Sequence, residues 1–176
     1  MLERKLKTKS ADYENVAKII SDAGGQIVGR TRLQKVAYLL ELTGLGSGFA
    51  FSYYRFGPYS EELNLASQMG SFFGVLVEEE KSTSWGGNVS IYSSKKKSTS
   101  NSLRREFIKF ASAADPVELE LAATAAFLAI DGFANPWAET AKRKQEKSAN
   151  GRLDRSRDLY SKLQAFQVPK RLPSVV

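Results

Sequence analysis

Residues 31–40 read TRLQKVAYLL and residues 51–63 read FSYYRFGPYSEEL, and these two runs decide the fold of the amino-terminal half. In the first run, apolar residues recur at helical spacing, which predicts a helix. Thr31 and Gln34 have the spacing of a capping box, in which both side chains satisfy backbone N–H groups at the helix start. The second run is aromatic and alternates loosely, which predicts a short strand over 49–56.

The segments around these runs extend the predicted fold. A helix over 12–23 precedes them, and Pro58 predicts the start of a third helix over about 59–69. Two strand candidates, 72–80 and 89–92, flank a flexible turn and therefore predict a hairpin. The resulting order of helix, helix, strand, helix and hairpin is that of a winged helix.

The rest of the chain predicts helices joined by polar segments. Residues 95–102 contain only Lys, Ser, Thr and Asn, the composition of a solvated loop. Asp115 followed by Pro116 is a strong helix start, and the apolar helix that follows is expected at the centre of the core. Further helices are expected over 103–113, from 136 onward and over 154–166, with a loose tail from Pro169.

We therefore expect a single domain over residues 1–176, mainly α with a small antiparallel β hairpin or sheet. Residues 11–94 form its winged-helix-like part, residues 95–102 a basic loop, and residues 103–168 a carboxy-terminal set of helices.

The composition excludes most familiar active sites. The chain has no Cys and no His, which removes disulfides, thiolate nucleophiles, zinc sites built on sulfur, and the commonest general base. Glu78–Glu80 is the acidic cluster, but consecutive strand residues point to alternating faces and cannot all reach one ion. We therefore expect no metal, no cofactor and no catalysis.

Charge and hydropathy bear on partners and location. The net charge of +7 and the pI near 9.6 favour an anionic partner, although a basic surface also serves solubility alone. Met1–Ser10 has no apolar stretch after its basic residues, so it predicts neither a signal peptide nor a membrane anchor. No later segment has the length of a membrane span, and we expect a cytoplasmic protein without membrane contact.

The two opening runs resemble the Panacea domain of SocA-like antitoxins, whose members combine a Leu-Gln-Lys helix with an aromatic strand that leads into a Gly-Pro segment. The similarity is greatest to uncharacterised variants with the Gly-Pro-Tyr-Ser-Glu-Glu-Leu motif, here residues 57–63. Residues 119–128 and 144–147 resemble the family more weakly. The resemblance implies a helical protein that neutralises a cognate toxin, usually the product of a neighbouring gene, in a toxin–antitoxin or phage-defence setting. It implies no reaction, and some relatives instead deliver a toxin to a protease.

Two sets of residues are candidate contacts. The apolar residues of both runs are expected in the core. Core packing alone does not explain the polar residues or two of the aromatic ones, Tyr54 and Tyr59. The predicted partner contacts are Arg32, Gln34, Lys35, Tyr54, Arg55, Tyr59 and Glu61. Basic residues outside the runs are predicted anion or nucleic-acid contacts, with a solvated helix face as the plainer interpretation: Lys95, Lys96, Lys97, Lys142, Arg143, Lys144, Arg152 and Arg155.

The main alternative to a toxin-binding protein is a winged-helix DNA-binding transcriptional regulator. It would use helix 60–69 in the groove and Lys95–Lys97 as a wing on the phosphates. Against it, that helix carries Glu61 and Glu62 near its start, and residues 59–70 contain no Lys or Arg. The sequence indicates neither an oligomeric state nor the identity of a toxin.

Overall fold

The computed structural model describes the backbone of residues 2–176 and the side chains of residues 11–176. The prediction made for Met1–Ser10 concerns side chains outside that range. The amino-terminal elements are α1 (Leu2–Asp22), β1 (Gln26–Val28), α2 (Arg30–Leu42), β2 (Ser52–Tyr54), β3 (Gly57–Tyr59), α3 (Glu61–Phe72), β4 (Val77–Ser82) and β5 (Asn88–Ser93). The carboxy-terminal helices are α4 (Ser102–Ala113), α5 (Pro116–Ile130), α6 (Pro136–Arg143), α7 (Gln145–Ser148) and α8 (Arg152–Gln164).

The predicted fold class is confirmed: the protein is mainly helical with a small antiparallel sheet. Strands β1, β5 and β4 form this sheet in that order, with Ile27 opposite Tyr92 and Glu79 opposite Ile91. With α1, α2 and α3 the sheet has the winged-helix order α1, β1, α2, α3, β4, β5. Strand β1 was not predicted, because three residues are too short to show alternation.

The predicted capping box at Thr31 is wrong. Helix α2 begins at Arg30, with Gly29 as its N-cap residue. The Gln34 side chain instead reaches the start of α3, where its Nε2 donates to Ser60 O at 3.0 Å and its Oε1 accepts from Ser60 N at 2.8 Å. A long-range pair of hydrogen bonds has therefore replaced the local one that the spacing suggested.

The predicted helix start at Pro58 is also wrong. Residues Ser52–Tyr54 and Gly57–Tyr59 pair as a second, two-stranded hairpin between α2 and α3, with Arg55 and Phe56 in its turn. Proline is compatible with a strand at an edge, where its missing N–H removes no ladder bond. Helix α3 begins later, at Glu61, where the Ser60 hydroxyl accepts from Leu63 N.

Helix α5 is the centre of the core, as predicted, and it packs on α2, α6, α8 and β3. Its start is capped by Asp115, and α6 is capped by Asn135 in the same way. Trp137 at the start of α6 is buried, as its position beside a capped helix suggested. The helix mostly buries small and branched apolar residues: Leu119, Leu121, Ala122, Ala123, Ala125, Ala126 and Leu128.

Two segments expected to be loosely held are in contact with the core. In the predicted solvated loop, the Ser98 and Ser100 hydroxyls donate to Asp22, which is fully buried and also pairs with Arg104 at 2.7 Å. In the predicted loose tail, Lys170 N donates to Thr43 O at 2.9 Å. Leu172 in that tail is buried, so the expectation of a loose end is wrong.

Across residues 2–176 the helices are all too short or too polar to cross a lipid bilayer.

Candidate functional site

Gln34 and Lys35, two predicted partner contacts, lie inside the protein. Their exposed fractions are 2% and 1%, and Lys35 Nζ donates to Pro58 O at 2.6 Å. The Gln34 side chain holds the start of α3 by its two hydrogen bonds with the Ser60 backbone. The prediction that these two side chains touch a partner is therefore wrong. Both are buried, and their hydrogen bonds hold the β2–β3 hairpin and the start of α3 in place.

Arg32 is half-buried and bridges two elements. Its guanidinium donates to Val28 O at 2.5 Å and to Ala114 O at 3.1 Å, which links the start of α2 to the end of α4. Both of its terminal NH2 groups thus bind backbone oxygens within the chain, so it is poorly placed as a partner contact.

The other predicted partner contacts do reach the surface near the β2–β3 hairpin. Arg55 and Glu61 are exposed, Tyr59 is half-buried, and 51% of Tyr54 is exposed. The rings of Tyr54 and Tyr59 pack on each other with centroids 5.3 Å apart. Phe56, in the turn of the hairpin, is 49% exposed and was not among the predicted contacts.

The hairpin turn is tied to the carboxy-terminal helices by a buried ion network. Lys144 Nζ donates to Arg55 O at 2.6 Å and to Glu120 Oε1 at 3.0 Å. Glu120 is 3% exposed and also pairs with Lys147 at 2.7 Å. Lys144 was predicted as an anion contact, but its amino group is buried and already has both of these partners.

Lys35 borders the same network. Burial lowers the pKa of the Lys35 ammonium to about 7, Glu120 acts in the opposite direction, and the nearby charges of Lys144 and Lys147 lower the pKa further. Three lysines thus share the field of one carboxylate in a largely dry region. The positive charge there is not fully compensated by the described side chains.

Above this network lies a depression of about 420 Å³, which we call the basic–aromatic pocket. It combines side chains from the β2–β3 turn and from the α6–α7 segment, and its lining residues are Arg55, Phe56, Lys142, Arg143, Lys144, Gln145, Glu146 and Lys147. The Phe56 ring has the charged groups of Lys147, Arg55 and Lys144 at 4.7, 5.5 and 5.9 Å from its centroid. Such distances are those of cation–π contacts.

Arg143 forms one side of this pocket and is held by aromatic rings. Its guanidinium lies 4.8 Å from the Tyr53 centroid and 5.1 Å from the Phe133 centroid, and it pairs with Glu139 at 2.7 Å. The predicted contacts Lys142 and Arg143 therefore join the pocket, whereas the lining described above does not include Arg152 or Arg155. Arg155 pairs instead with Glu118 at 2.5 Å.

The prediction that Lys95–Lys97 lie on the wing is wrong. Lys95, Lys96 and Lys97 follow Ser93, which pairs with Val77 at the end of β5 farthest from the hairpin turn. Lys96 forms an ion pair with Glu14 of α1. Strand β4 of the wing itself carries three consecutive glutamates, Glu78–Glu80.

Two central members of the site were missed from the sequence, Phe56 and Glu120. A single carboxylate between Leu119 and Leu121, in a helix expected to be buried, indicates a buried ion pair, because an unpaired charge there is costly. That signal was available. The pairing of Glu120 with lysines 24 and 27 residues away was not, since it depends on how α7 packs on α5.

Within the side chains described, no three acidic residues lie close enough together to hold a metal ion.

Part of the chain is similar to a protein of Bacillus subtilis. Over 72 residues the chain is 33% identical to the uncharacterized protein YwgA of Bacillus subtilis strain 168. The matched stretch is 40% of this chain and spans less than half, 43%, of YwgA. No protein-family model matches the chain, and no solved structure matches it significantly.

Proposed function

We propose that this chain is an antitoxin-like protein that binds a cognate protein toxin and neutralises it by direct contact, without catalysing a reaction. The observation that carries the proposal is the β2–β3 hairpin, which presents Tyr54, Arg55 and Phe56 to solvent on a backbone held by two buried lysines. The resemblance of residues 31–40 and 51–63 to SocA-like antitoxins supports the same role. In this proposal the toxin is a neighbouring gene product, and both proteins act in the cytoplasm.

The chemistry of the hairpin suits a protein partner. Tyrosine, tryptophan and arginine are enriched among the few residues that carry most of the binding energy of protein interfaces. The hydrogen bonds from Lys35 and Lys144 fix the strand and the turn before any partner arrives. A surface that is already ordered has a smaller entropy cost on binding.

Helix α3 also favours a protein over a nucleic acid. In a winged helix this is the element that enters the DNA groove. Here its first turn carries Glu61 and Glu62, and its exposed side presents Leu65 and Phe72, which are 50% and 81% exposed. Carboxylates repel phosphates, whereas an apolar surface with an acidic end can pack on a protein.

The test is coexpression with the products of the flanking genes. Wild-type protein should copurify with one of them and restore growth that the partner alone arrests. Replacing Arg55 and Phe56 together with alanine should weaken the complex about 100-fold, the loss of two interface anchors. Trp85→Ala is the matched control, since Trp85 is an 83% exposed aromatic residue in the turn of the other hairpin.

If the Arg55 and Phe56 double variant still rescues growth and copurifies as well as the Trp85→Ala variant, the hairpin is not the contact surface. If no flanking product binds or is neutralised, the antitoxin role itself is wrong.

A DNA-binding regulator is the second candidate, favoured by the winged-helix order of α1–α3 and the β1-β5-β4 sheet. It predicts binding to its own promoter that falls steeply with salt, because neutralised phosphates release counterions. The glutamates of α3 and β4 oppose it. We expect promoter DNA to bind no better than unrelated DNA.

A further inference from the structure

We propose that the basic–aromatic pocket binds an acidic segment of the protein partner, with carboxylates of that segment pairing with Arg55 and Lys142. This inference rests on the proposed function, because it names the chemistry by which the same face recognises a toxin. It goes further in locating a concave charged site beside the exposed hairpin.

The first argument is the supply of unpaired positive charge. Of the five basic residues that line the pocket, Lys144 and Lys147 share Glu120, and Arg143 pairs with Glu139. Neither Arg55 nor Lys142 forms an ion pair with a described side chain. These two exposed cations are therefore available to an incoming carboxylate.

The second argument is the charge beneath the pocket. Lys144 is buried and Lys147 is half-buried, and both pair with the single buried carboxylate of Glu120, which leaves one positive charge in excess in a region of low dielectric. Charges act more strongly there than in water. An anion bound above them would be stabilised by this field as well as by its direct partners, which an exposed patch of lysines would not offer.

The third argument is the aromatic wall. Half of Phe56 is exposed in the pocket, and it gives an acidic peptide an apolar surface for the methylene groups or the apolar neighbours of its carboxylates. Tyr53 and Phe133 hold the Arg143 guanidinium in place. Recognition by such a pocket combines charge with shape, which gives specificity beyond that of a charged surface alone.

A nucleic acid is less well matched, because two of the basic residues that follow the pocket along the chain already have acidic partners. A nucleic-acid strand carries about one charge per 3.4 Å and requires a track of cations. Beyond the pocket Arg155 pairs with Glu118, and Arg157 lies 3.9 Å from Asp154. A short acidic segment needs only the local cluster.

The experiment uses the full-length protein with a fluorescein-labelled hexaglutamate peptide and, in a second arm, labelled oligothymidylate of similar charge. The Arg55→Gln, Lys142→Gln double variant removes the two unpaired cations. Lys109→Gln, Arg171→Gln is the matched control, because it removes one Lys and one Arg that are exposed outside the pocket lining. Circular dichroism verifies that all variants fold.

We expect saturable binding of the peptide to wild type and to the control, and at least about tenfold weaker binding to the double variant, as for the loss of two charge pairs. Three results would overturn the inference: no saturable peptide binding, equal weakening in the control, or oligothymidylate that binds more tightly than the peptide and is lost in the same double variant.

Failure of the inference and failure of the proposed function are separable. If wild type copurifies with a toxin and rescues growth but does not bind the acidic peptide, the antitoxin role is supported and the acidic-segment inference is wrong. If the peptide binds through Arg55 and Lys142 but no flanking gene product is neutralised, the pocket chemistry is supported and the antitoxin role is wrong.

Discussion

Lys35 shows how a single buried charge can shape the protein around it. The side chain is 1% exposed, and its Nζ donates to Pro58 O. The charges that act on it are those of Glu120 in α5, Lys147 in α7 and Lys144 between α6 and α7. An ammonium in this position fixes the strand that leads into α3. It does so at the cost of desolvation, which lowers the pKa to about 7.

This shift predicts how stability depends on pH. Unfolded Lys35 keeps its proton up to about pH 10, whereas folded Lys35 loses it near pH 7. Between these values the unfolded chain binds more protons, so this residue makes the free energy of unfolding rise with pH, by roughly 1 kcal/mol per pH unit. Urea unfolding of wild type and Lys35→Met at pH 7 and pH 9 should show that rise in wild type and its absence in the variant.

The control for this measurement is Lys81→Met, because Lys81 is exposed on β4. Its pH dependence should match that of wild type. Identical slopes in Lys35→Met and wild type would mean that Lys35 is not the buried cation described above.

Gly57 gives a second prediction at the residue scale. Its φ of +79° favours glycine, and a Cβ there would lie 2.4 Å from the Oγ1 of buried Thr124. Gly86 has a similar φ of +86°, but no described atom lies within 4 Å of its Cβ position apart from its chain neighbours. Chemical denaturation should show a loss of about 1 kcal/mol for Gly86→Ala, from backbone strain alone.

Gly57→Ala should lose about 2 kcal/mol more than Gly86→Ala, because the clash with α5 adds to the strain. Equal losses in the two variants would show that β3 and α5 separate easily, and that the hairpin is less firmly held than its contacts indicate.

Among the elements, α5 organises both halves of the molecule, and its start is well determined. Asp115 Oδ1 accepts from Val117 N at 2.9 Å and from Glu118 N at 3.1 Å. The Glu118 carboxylate, three residues after the cap, binds Arg155. One residue therefore provides the side-chain cap of this helix.

Asp115→Ala should lower the free energy of unfolding by about 1 kcal/mol, because two backbone N–H groups lose their acceptor, while Asp115→Ser should recover most of the loss. Asp131→Ala, at the other end of the same helix, is the control and should change stability by less than about 0.5 kcal/mol. Thermal unfolding of the three variants measures these differences. If the two alanine variants are equally destabilised, the cap is not the source.

The elements that were predictable are those whose signals are local. Asp115 and Asn135 cap helices next to themselves in sequence, and both helix starts were found. The errors arose where a distant partner took over a local signal, as when Gln34 bonded to Ser60 rather than to its own helix. Pro58 by itself indicates a helix start, because its pairing with Tyr53 is visible only in the fold.

At the scale of the whole molecule, the candidate site also combines residues that local patterns identify with contacts that they do not. Sequence patterns identified Arg55 and the basic stretch around Lys144 separately, without any sign that they meet. Lys144 Nζ donates directly to Arg55 O, 89 positions away, and the same amino group also pairs with Glu120 on a third element. Because charge and periodicity describe only neighbours along the chain, the pocket between these segments could not have been predicted from them.

The carboxy-terminal segment is the last long-range connection of the molecule. Tyr160 in α8 donates its hydroxyl to Pro173 O at 2.8 Å, and Lys170 N donates to Thr43 O at the end of α2. Leu172 between these points is 5% exposed and belongs to the main core. The segment therefore links the end of α2 to α8.

Leu172→Ala should accordingly lower the free energy of unfolding by about 2 to 3 kcal/mol, because it removes a buried side chain and leaves a cavity. Val176→Ala is the matched control, since Val176 is 83% exposed in the same segment, and its change should be below about 0.5 kcal/mol. Urea unfolding followed by tryptophan fluorescence suits this test, because Trp137 packs on Tyr160 with centroids 6.1 Å apart. A Leu172→Ala variant as stable as Val176→Ala would mean that the segment rests on the core without contributing to its stability, and that packing on α4 and α5 is enough to hold α2 and α8.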